Sequence, residues 1–415
     1  MRSVIWLVLL FVVAVVAALT LGSNDGLVSL YWHGWRLDVS LNLFLLTLVG
    51  GCFALVTVIQ AINSLTSLPR RAREWRLSQR ERSAQLALRE ALSEFFGGRY
   101  GRAQKAAQKA LSIQAQTPEL TDDGAFMALA HLMVAQSAHR MQDRRRRDEE
   151  LTLAMNRSQT MSQGKALEEG ARLMAAEWAL DDRDADRALR LLSELGPGVA
   201  RRTQALRLKL QAARLARQPM EALRTARLLA KHQAFSKLAA QGLLRSLACE
   251  ALDGARDADQ LRVIWQQLDS ADRREVFVAG RAARCSAALG ALDDGRGWLR
   301  PFWDQLDELS TEERTELSES LVLVMPGLGP EWLQRLEGAV QRFPRDACFA
   351  YALGQALAER QLWGKARLML EQAGNDRTLS AAARRRCWMT LAQLAARDGD
   401  GERRSRCFEE AATLS

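Results

Sequence analysis

The first 62 residues hold two long apolar runs that lack the alternation of a surface helix or strand. Val4 to Leu21 reads VIWLVLLFVVAVVAALTL, eighteen residues without a charge, and at 1.5 Å per residue it spans about 27 Å, close to a hydrocarbon core of about 30 Å. A cleaved signal peptide is the competing assignment, but its basic flank would be a single Arg2 and the run exceeds the usual apolar length of such peptides. Leu41 to Ile62 is the second run, with only Asn42 and Gln60 near its ends and Gly50-Gly51 at its centre, where small residues let another helix approach. The pattern predicts a transmembrane hairpin over residues 1–69, with Pro69 ending the second span.

Between the runs the period changes to two. Val28, Leu30 and Trp32 alternate with Ser29 and Tyr31, His33-Gly34 interrupts, and Trp35, Leu37 and Val39 alternate with Arg36 and Asp38. Two readings fit: a small β-hairpin at the membrane surface with Tyr31, Trp32 and Trp35 as an aromatic belt, or an irregular loop with interfacial aromatics. In either, His33 is a solvated turn residue.

From Ser83 onward the apolar positions recur every three to four residues in stretches of 12 to 16, broken by short turns with Gly, Asp or Gln, which predicts paired helices. In the clearest pair Ala350, Leu353, Gly354 and Leu357 share a face, Gln361-Leu362-Trp363-Gly364 turns, and Ala366, Leu370 and Ala373 follow. Gly354 and Ala366 are the small residues that let the helices cross closely, with Leu357 and Leu370 filling the space between. Shifted by 38 positions, Leu391, Ala392, Ala395, Gly399, Phe408 and Ala411 repeat these sizes, although Arg404 stands where a small residue is expected. Earlier units show Phe95, Phe96, Gly98, Tyr100, Ala103, Ala107 and Ala110, then Val134, Ala135, Ala138, Leu151 and Ala154, then Ala176, Ala179, Ala188 and Leu192. These patterns resemble tetratricopeptide repeats, with residues 235–345 recognisable only as helical pairs. Such units bury their apolar faces by stacking into a solenoid whose concave surface binds proteins.

Composition and charge sharpen the picture. Only 8 Pro and 3 Tyr accompany an excess of Ala, Leu and Arg, so the soluble part is all-α. The net charge is +9, and its location matters more than its size. The loop between the apolar runs holds one Arg against two Asp, whereas Arg70, Arg71, Arg73, Arg76, Arg80 and Arg82 follow the second run, which places both termini in the cytoplasm. Residues 70–110 carry eleven Arg or Lys against four Glu. Anionic phospholipid accounts for that patch, with Arg70, Arg71, Arg73, Trp75, Arg76 and Arg80 at the interface; no base-stacking set accompanies the charge, so nucleic acid is not expected. The six cysteines, Cys52, Cys249, Cys285, Cys348, Cys387 and Cys407, lack zinc or disulfide spacing and read as small core residues in a reducing compartment.

Catalytic chemistry finds no foothold. The chain has no nucleophile elbow, phosphate loop, dinucleotide fingerprint or HExxH, and no enzyme activity, catalytic residue or metal site is expected. The run Arg144 to Arg147 followed by Asp148, Glu149 and Glu150 reads as a solvated helix face. Of the four histidines, His33, His131, His139 and His232, His131 and His139 lie eight apart on one expected helix, a spacing that permits a haem or metal contact, although a surface-polar role is the simpler account.

The order of features, MRSVIWLVLLFVVAVVAA, a short loop, a second apolar run before RRAREWR, then repeats beginning near ALREALSEFFGGRYGRAQKAAQKAL, resembles the proteobacterial HemY family across essentially the full chain, as does Leu261-Arg262-Val263-Ile264-Trp265. The resemblance implies an inner-membrane tetratricopeptide protein associated with haem and porphyrin biosynthesis, not the flavin-dependent porphyrinogen oxidase that shares the name. The expectation is therefore a non-enzymatic scaffold with late haem-pathway enzymes as partners, no required cofactor, and haem or porphyrin as the one candidate ligand; the alternative is a general envelope adaptor with no tetrapyrrole role. Its parts are a two-span hairpin over 1–69, a basic juxtamembrane helix and first repeat over 70–115, degenerate repeats over 116–345, and C-terminal repeats over 346–415.

Overall fold

The computed structural model describes residue 13 and residues 26–117, 119, 123–159 and 164–414, with backbone only at 63–71 and 159. Val4–Leu21, the first expected span, lies outside the described residues apart from Val13. The chain divides into two compact units, one up to Gly164 and one from Lys165.

In the first unit β1 (Leu27–Trp32) and β2 (Trp35–Ser40) form an antiparallel hairpin, in register from Leu27↔Ser40 to Trp32↔Trp35. His33 and Gly34 both take positive φ, 47° and 88°, the geometry of the two-residue turn whose twist matches that of the strands. The alternating pattern thus resolves to a hairpin. Ser40 ends β2 and caps the next helix, its Oγ accepting from the Leu43 N–H at 3.3 Å.

That helix, α1 (Leu41–Phe96), runs 56 residues without interruption, about 84 Å of axial rise. It passes through Pro69, the expected end of the second span, without a break in the helix. Proline removes one backbone hydrogen bond and crowds the carbonyl four residues back, at a cost of about 3 kcal/mol, but the far end of α1 is held by tertiary packing. Ala84, Ala87 and Ala91 are buried where α1 meets α2 (Tyr100–Ala115). Gly98, at φ 73°, reverses the chain between them, and Phe95 meets Tyr100 at 5.4 Å. α3 (Gly124–Arg140) and α4 (Arg144–Gln159) form the second pair, with Val134 joining Ala91, Ala106 and Ala107 in the core.

The second unit is a succession of helix pairs: α5 (Lys165–Asp181) and α6 (Ala185–Ser193), α7 (Thr203–Leu215) and α8 (Pro219–Lys231), α9 (Lys237–Asp253) and α10 (Ala258–Gln267), α11 (Val276–Ala288) and α12 (Leu292–Trp303), α13 (Thr311–Leu323) and α14 (Pro330–Arg342), α15 (Ala347–Glu359) and α16 (Trp363–Asn375), α17 (Ala381–Arg397) and α18 (Gly401–Thr413). First helices pack on first helices in the order α9, α11, α13, α15, α17, and one core cluster runs from Leu206 to Cys407. The described residues are therefore helical but for one two-stranded hairpin, as the all-α reading requires.

Two devices recur. The turn inside a pair closes with a left-handed residue, Gly98, Gln142, Arg183, Arg217, Gly290, Gln361 or Gly399. Just after it, a backbone N–H reaches five residues back: Asp143 to Ala138, Asp184 to Ala179, Gln218 to Ala213 and Leu362 to Leu357, at 2.8–2.9 Å. This six-to-one bond satisfies a carbonyl at the helix end and sharpens the reversal. The second device bridges neighbouring pairs. Arg262 pairs with Asp294 at 2.6 Å, Arg284 with Glu316 at 2.6 Å and Arg314 with Asp346 at 2.9 Å, each 32 residues apart; Arg335–Asp304, Arg367–Asp398 and Arg403–Glu371 do the same. Half-exposed pairs of this kind contribute about 0–1 kcal/mol each, so their main effect is to fix the register of one pair on the next.

Ala350, Leu353, Gly354, Leu357, Ala366, Leu370, Ala373, Leu391, Ala395 and Ala411 are all buried. Phe408 departs from the expected pattern. It is 43% exposed, and Cys407 takes the buried position. Among the other thiols, burial pushes Cys348 up to about 11 and Cys387 up to about 12. A rise of two pKa units cuts the reactive thiolate roughly 100-fold. Iodoacetamide at pH 7.5 should leave Cys348 and Cys387 unmodified in the folded chain and modify both in urea; fast labelling of the folded chain, read by mass spectrometry, would mean that α15 and α17 open.

Candidate functional site

Two regions present chemistry. The first is the apolar N-terminal end of the first unit. Leu41–Ile62 is long and apolar enough to cross a bilayer, with mean hydropathy 2.2 and none of its window buried. Trp32 and Trp35 are 83% and 80% exposed and face each other across the hairpin. Tyr31, also exposed, lies on the opposite face, paired with Arg36, whose guanidinium sits 5.8 Å from its ring. The belt of three aromatics is therefore split over two faces, since neighbouring residues in a strand point to opposite sides.

Beyond the span, Arg73, Trp75 and Arg76 are exposed on α1, while the side chains of Arg70 and Arg71 are outside the described residues. Arg80 donates to the Gln116 carbonyl at 3.3 Å and to Thr117 Oγ1 at 3.1 Å, so it ties α1 to the end of α2.

The second region is a groove of about 510 Å³ in the second unit, between α15 and α17. Gln355 and Glu359 line one wall, Thr390, Gln393 and Arg397 the other, and Trp363 the end. Gln355 Nε2 donates to Thr390 Oγ1 at 3.1 Å, and the Arg397 guanidinium lies 4.6 Å from the Trp363 ring centre, a cation–π arrangement. Amide, hydroxyl, carboxylate and guanidinium groups thus line the groove together with Ala358, Leu394 and Ala396. Gln355 and Gln393 occupy matching places in the 38-residue register, a signal that a search confined to apolar positions misses.

His131 and His139 lie on α3, and both meet α4. His131 Nδ1 is 2.7 Å from Glu150 Oε2, and Arg147 Nη1 donates to His139 Nδ1 at 3.4 Å. Arg147, read from sequence as part of a solvated face, is 2% exposed and pairs with Asp148 at 2.9 Å. No group of three or more His, Cys, Asp or Glu positioned to hold a metal occurs among the described residues. Trp265, on α10, is buried and stacks on Trp298 at 4.9 Å.

These features define a class: a helical-repeat protein whose first repeat grows directly from a helix of membrane-spanning length. Residues 26–142 match the family described as HemY protein N-terminus; that stretch takes in the hairpin, α1, α2 and α3. No curated protein matches the chain. Among solved structures it is similar to the APC/C hetero-tetramer Cut9–Hcn1, at 16% identity over 82% of this chain and 67% of that one, TM-score 0.29. It is similar also to yeast Tom70, at 15% identity over 79% and 68%, TM-score 0.26. Scores this low leave the fold to be argued from this chain's own helix packing.

Proposed function

We propose that the chain is a non-enzymatic scaffold of the inner membrane that serves haem and porphyrin biosynthesis by binding pathway enzymes through its cytoplasmic repeats. The observation that carries this reading is the continuity of α1, which joins a span-length apolar segment to a folded repeat without a linker. Tethering of this kind raises the local concentration of a binding surface near membrane-bound partners, so a weak contact suffices. The HemY match over residues 26–142 supports this reading, and the association with haem synthesis is what the resemblance to that family implies. Val4–Leu21 serves as the first of two spans, and both termini face the cytoplasm because the arginines follow the second.

Anionic headgroups are met by the arginines nearest the span. Arg73 lies about 16 Å along α1 beyond Ile62 and Arg80 about 27 Å, against a screening length of about 8 Å in physiological salt. Attraction to the headgroups therefore weakens steadily along α1 from Arg70 toward Arg80. His131 and His139 each set Nδ1 against an α4 side chain, Glu150 and Arg147 respectively.

Photo-crosslinkers at Gln393 and Glu359, in the groove walls, test the reading in native membranes. Late haem-pathway enzymes should be captured from both positions. Capture of envelope-assembly proteins alone, with unchanged porphyrin levels in a deletion strain, would replace it with a general adaptor.

A further inference from the structure

We propose that the β1–β2 hairpin is a lipid-docking element. One face lies in the headgroup–acyl boundary of the bilayer crossed by Leu41–Ile62, and the other faces water. The register divides the hairpin cleanly. Val28 pairs with Val39, Leu30 with Leu37 and Trp32 with Trp35, so these six side chains project from one side of the sheet. The other side carries Leu27 opposite Ser40 at the helix end, then Ser29 opposite Asp38 and Tyr31 opposite Arg36. There Ser29 Oγ donates to Asp38, and Arg36 Nε donates to the same carboxylate at 3.0 Å, holding its pKa below the usual range. The polar face is thus internally satisfied, while on the apolar face Leu30, Trp32, Trp35 and Leu37 are left exposed.

The occupant follows from where the hairpin is fixed. Ser40 is both the last residue of β2 and the cap of α1, and the Leu41 N–H donates to the Gly26 carbonyl at 2.9 Å. Both ends of the hairpin are pinned to the first turn of the span helix, with no linker between them. Six residues of strand reach about 20 Å, so the Trp32–Trp35 end stays near the surface where the span emerges. Tryptophan favours that boundary layer. Both strands are also sheet edges with unpaired backbone groups, which the hydrated headgroup zone satisfies and the hydrocarbon core does not. A lone two-stranded hairpin is marginal in water; a bilayer under its apolar face supplies the missing third layer. The element binds lipid by burying apolar surface rather than by charge.

This inference rests on the reading of Leu41–Ile62 as a span, and the test separates the two. Nitroxide labels are placed singly at Leu30→Cys, Ser29→Cys and Leu55→Cys in the full chain, its six native cysteines replaced by alanine, and the protein is reconstituted in phosphatidylethanolamine–phosphatidylglycerol vesicles. Collision with oxygen reports lipid and collision with a nickel chelate reports water. The expected result is a severalfold higher oxygen-to-nickel ratio at Leu30 than at Ser29, with Leu55 highest. Leu55 in lipid with Leu30 as open to nickel as Ser29 would overturn the docking and leave the anchor standing. A label at Leu30 closed to both reagents would show a protein on that face and overturn the lipid assignment. Nickel access at Leu55 would overturn the anchor itself.

Discussion

Phe349→Ala is expected to lower the stability of the C-terminal repeats by about 3–5 kcal/mol, the range for removing a buried aromatic ring. Phe349 is fully buried on α15. Its ring meets Trp303 edge-on at 5.6 Å and lies 5.5 Å from Phe343, so the substitution removes aromatic contacts from three consecutive pairs together with their apolar burial. Repeat arrays hold together through nearest neighbours, and the loss should appear as early melting of residues around α13 to α18 rather than as collapse of the first unit. Urea unfolding of the detergent-solubilised chain, followed by circular dichroism and limited proteolysis, measures it. Phe408→Ala is the internal comparison: that residue is 43% exposed, and its removal should cost clearly less than that of Phe349. Equal effects of the two substitutions would contradict the burial of α15.

Gly354→Leu attacks the same helix from the opposite direction. A Cβ at Gly354 would stand 2.8 Å from Leu370 Cγ, 2.9 Å from its Cδ2 and 3.2 Å from its backbone nitrogen. Leu370 is fully buried on α16 and has nowhere to retreat. The paired helices must part, at a cost of about 1–3 kcal/mol. Gly354→Ala should cost less, because alanine gains about 1 kcal/mol over glycine in helix propensity while still pressing on Leu370. An unchanged unfolding midpoint for the leucine variant would show that α15 and α16 do not cross at this point.

The parts of the fold legible in the sequence are those encoded by neighbours. Ala350, Leu353 and Leu357 on one helix and Ala366, Leu370 and Ala373 on the next reveal a pair because burial repeats every three to four residues. Val28, Leu30 and Trp32 against Trp35, Leu37 and Val39 suggest a hairpin, beside the irregular loop that also fits, because apolar and polar residues alternate and His33-Gly34 can take positive φ. What sequence reading missed depends on distant partners. Pro69 looks like a stop, and the packing that carries α1 past it lies 15 residues and more downstream, at Ala84, Ala87 and Ala91. Arg284, Arg314 and Arg367 look like ordinary surface charge until the fold brings Glu316, Asp346 and Asp398 to them. The groove was hidden for the same reason. Gln355, Trp363, Thr390 and Arg397 carry no motif, and they converge only when α15 and α17 lie side by side.

The unbroken path of α1 from Leu41 to Phe96 makes the placement of the first repeat a matter of counting. Ala84, where packing against α2 begins, stands 22 residues past Ile62, about 33 Å of rise and six turns of helix. Within that stretch each residue gained or lost would lift the repeat by about 1.5 Å and swing it by about 100° around the helix axis. Height and heading are thus locked to one another, as on a screw thread, and a change of three or four residues nearly restores the heading while a change of two turns the repeat more than half a circle away. Which side of the first repeat a membrane neighbour would meet is therefore set by the number of residues in that stretch.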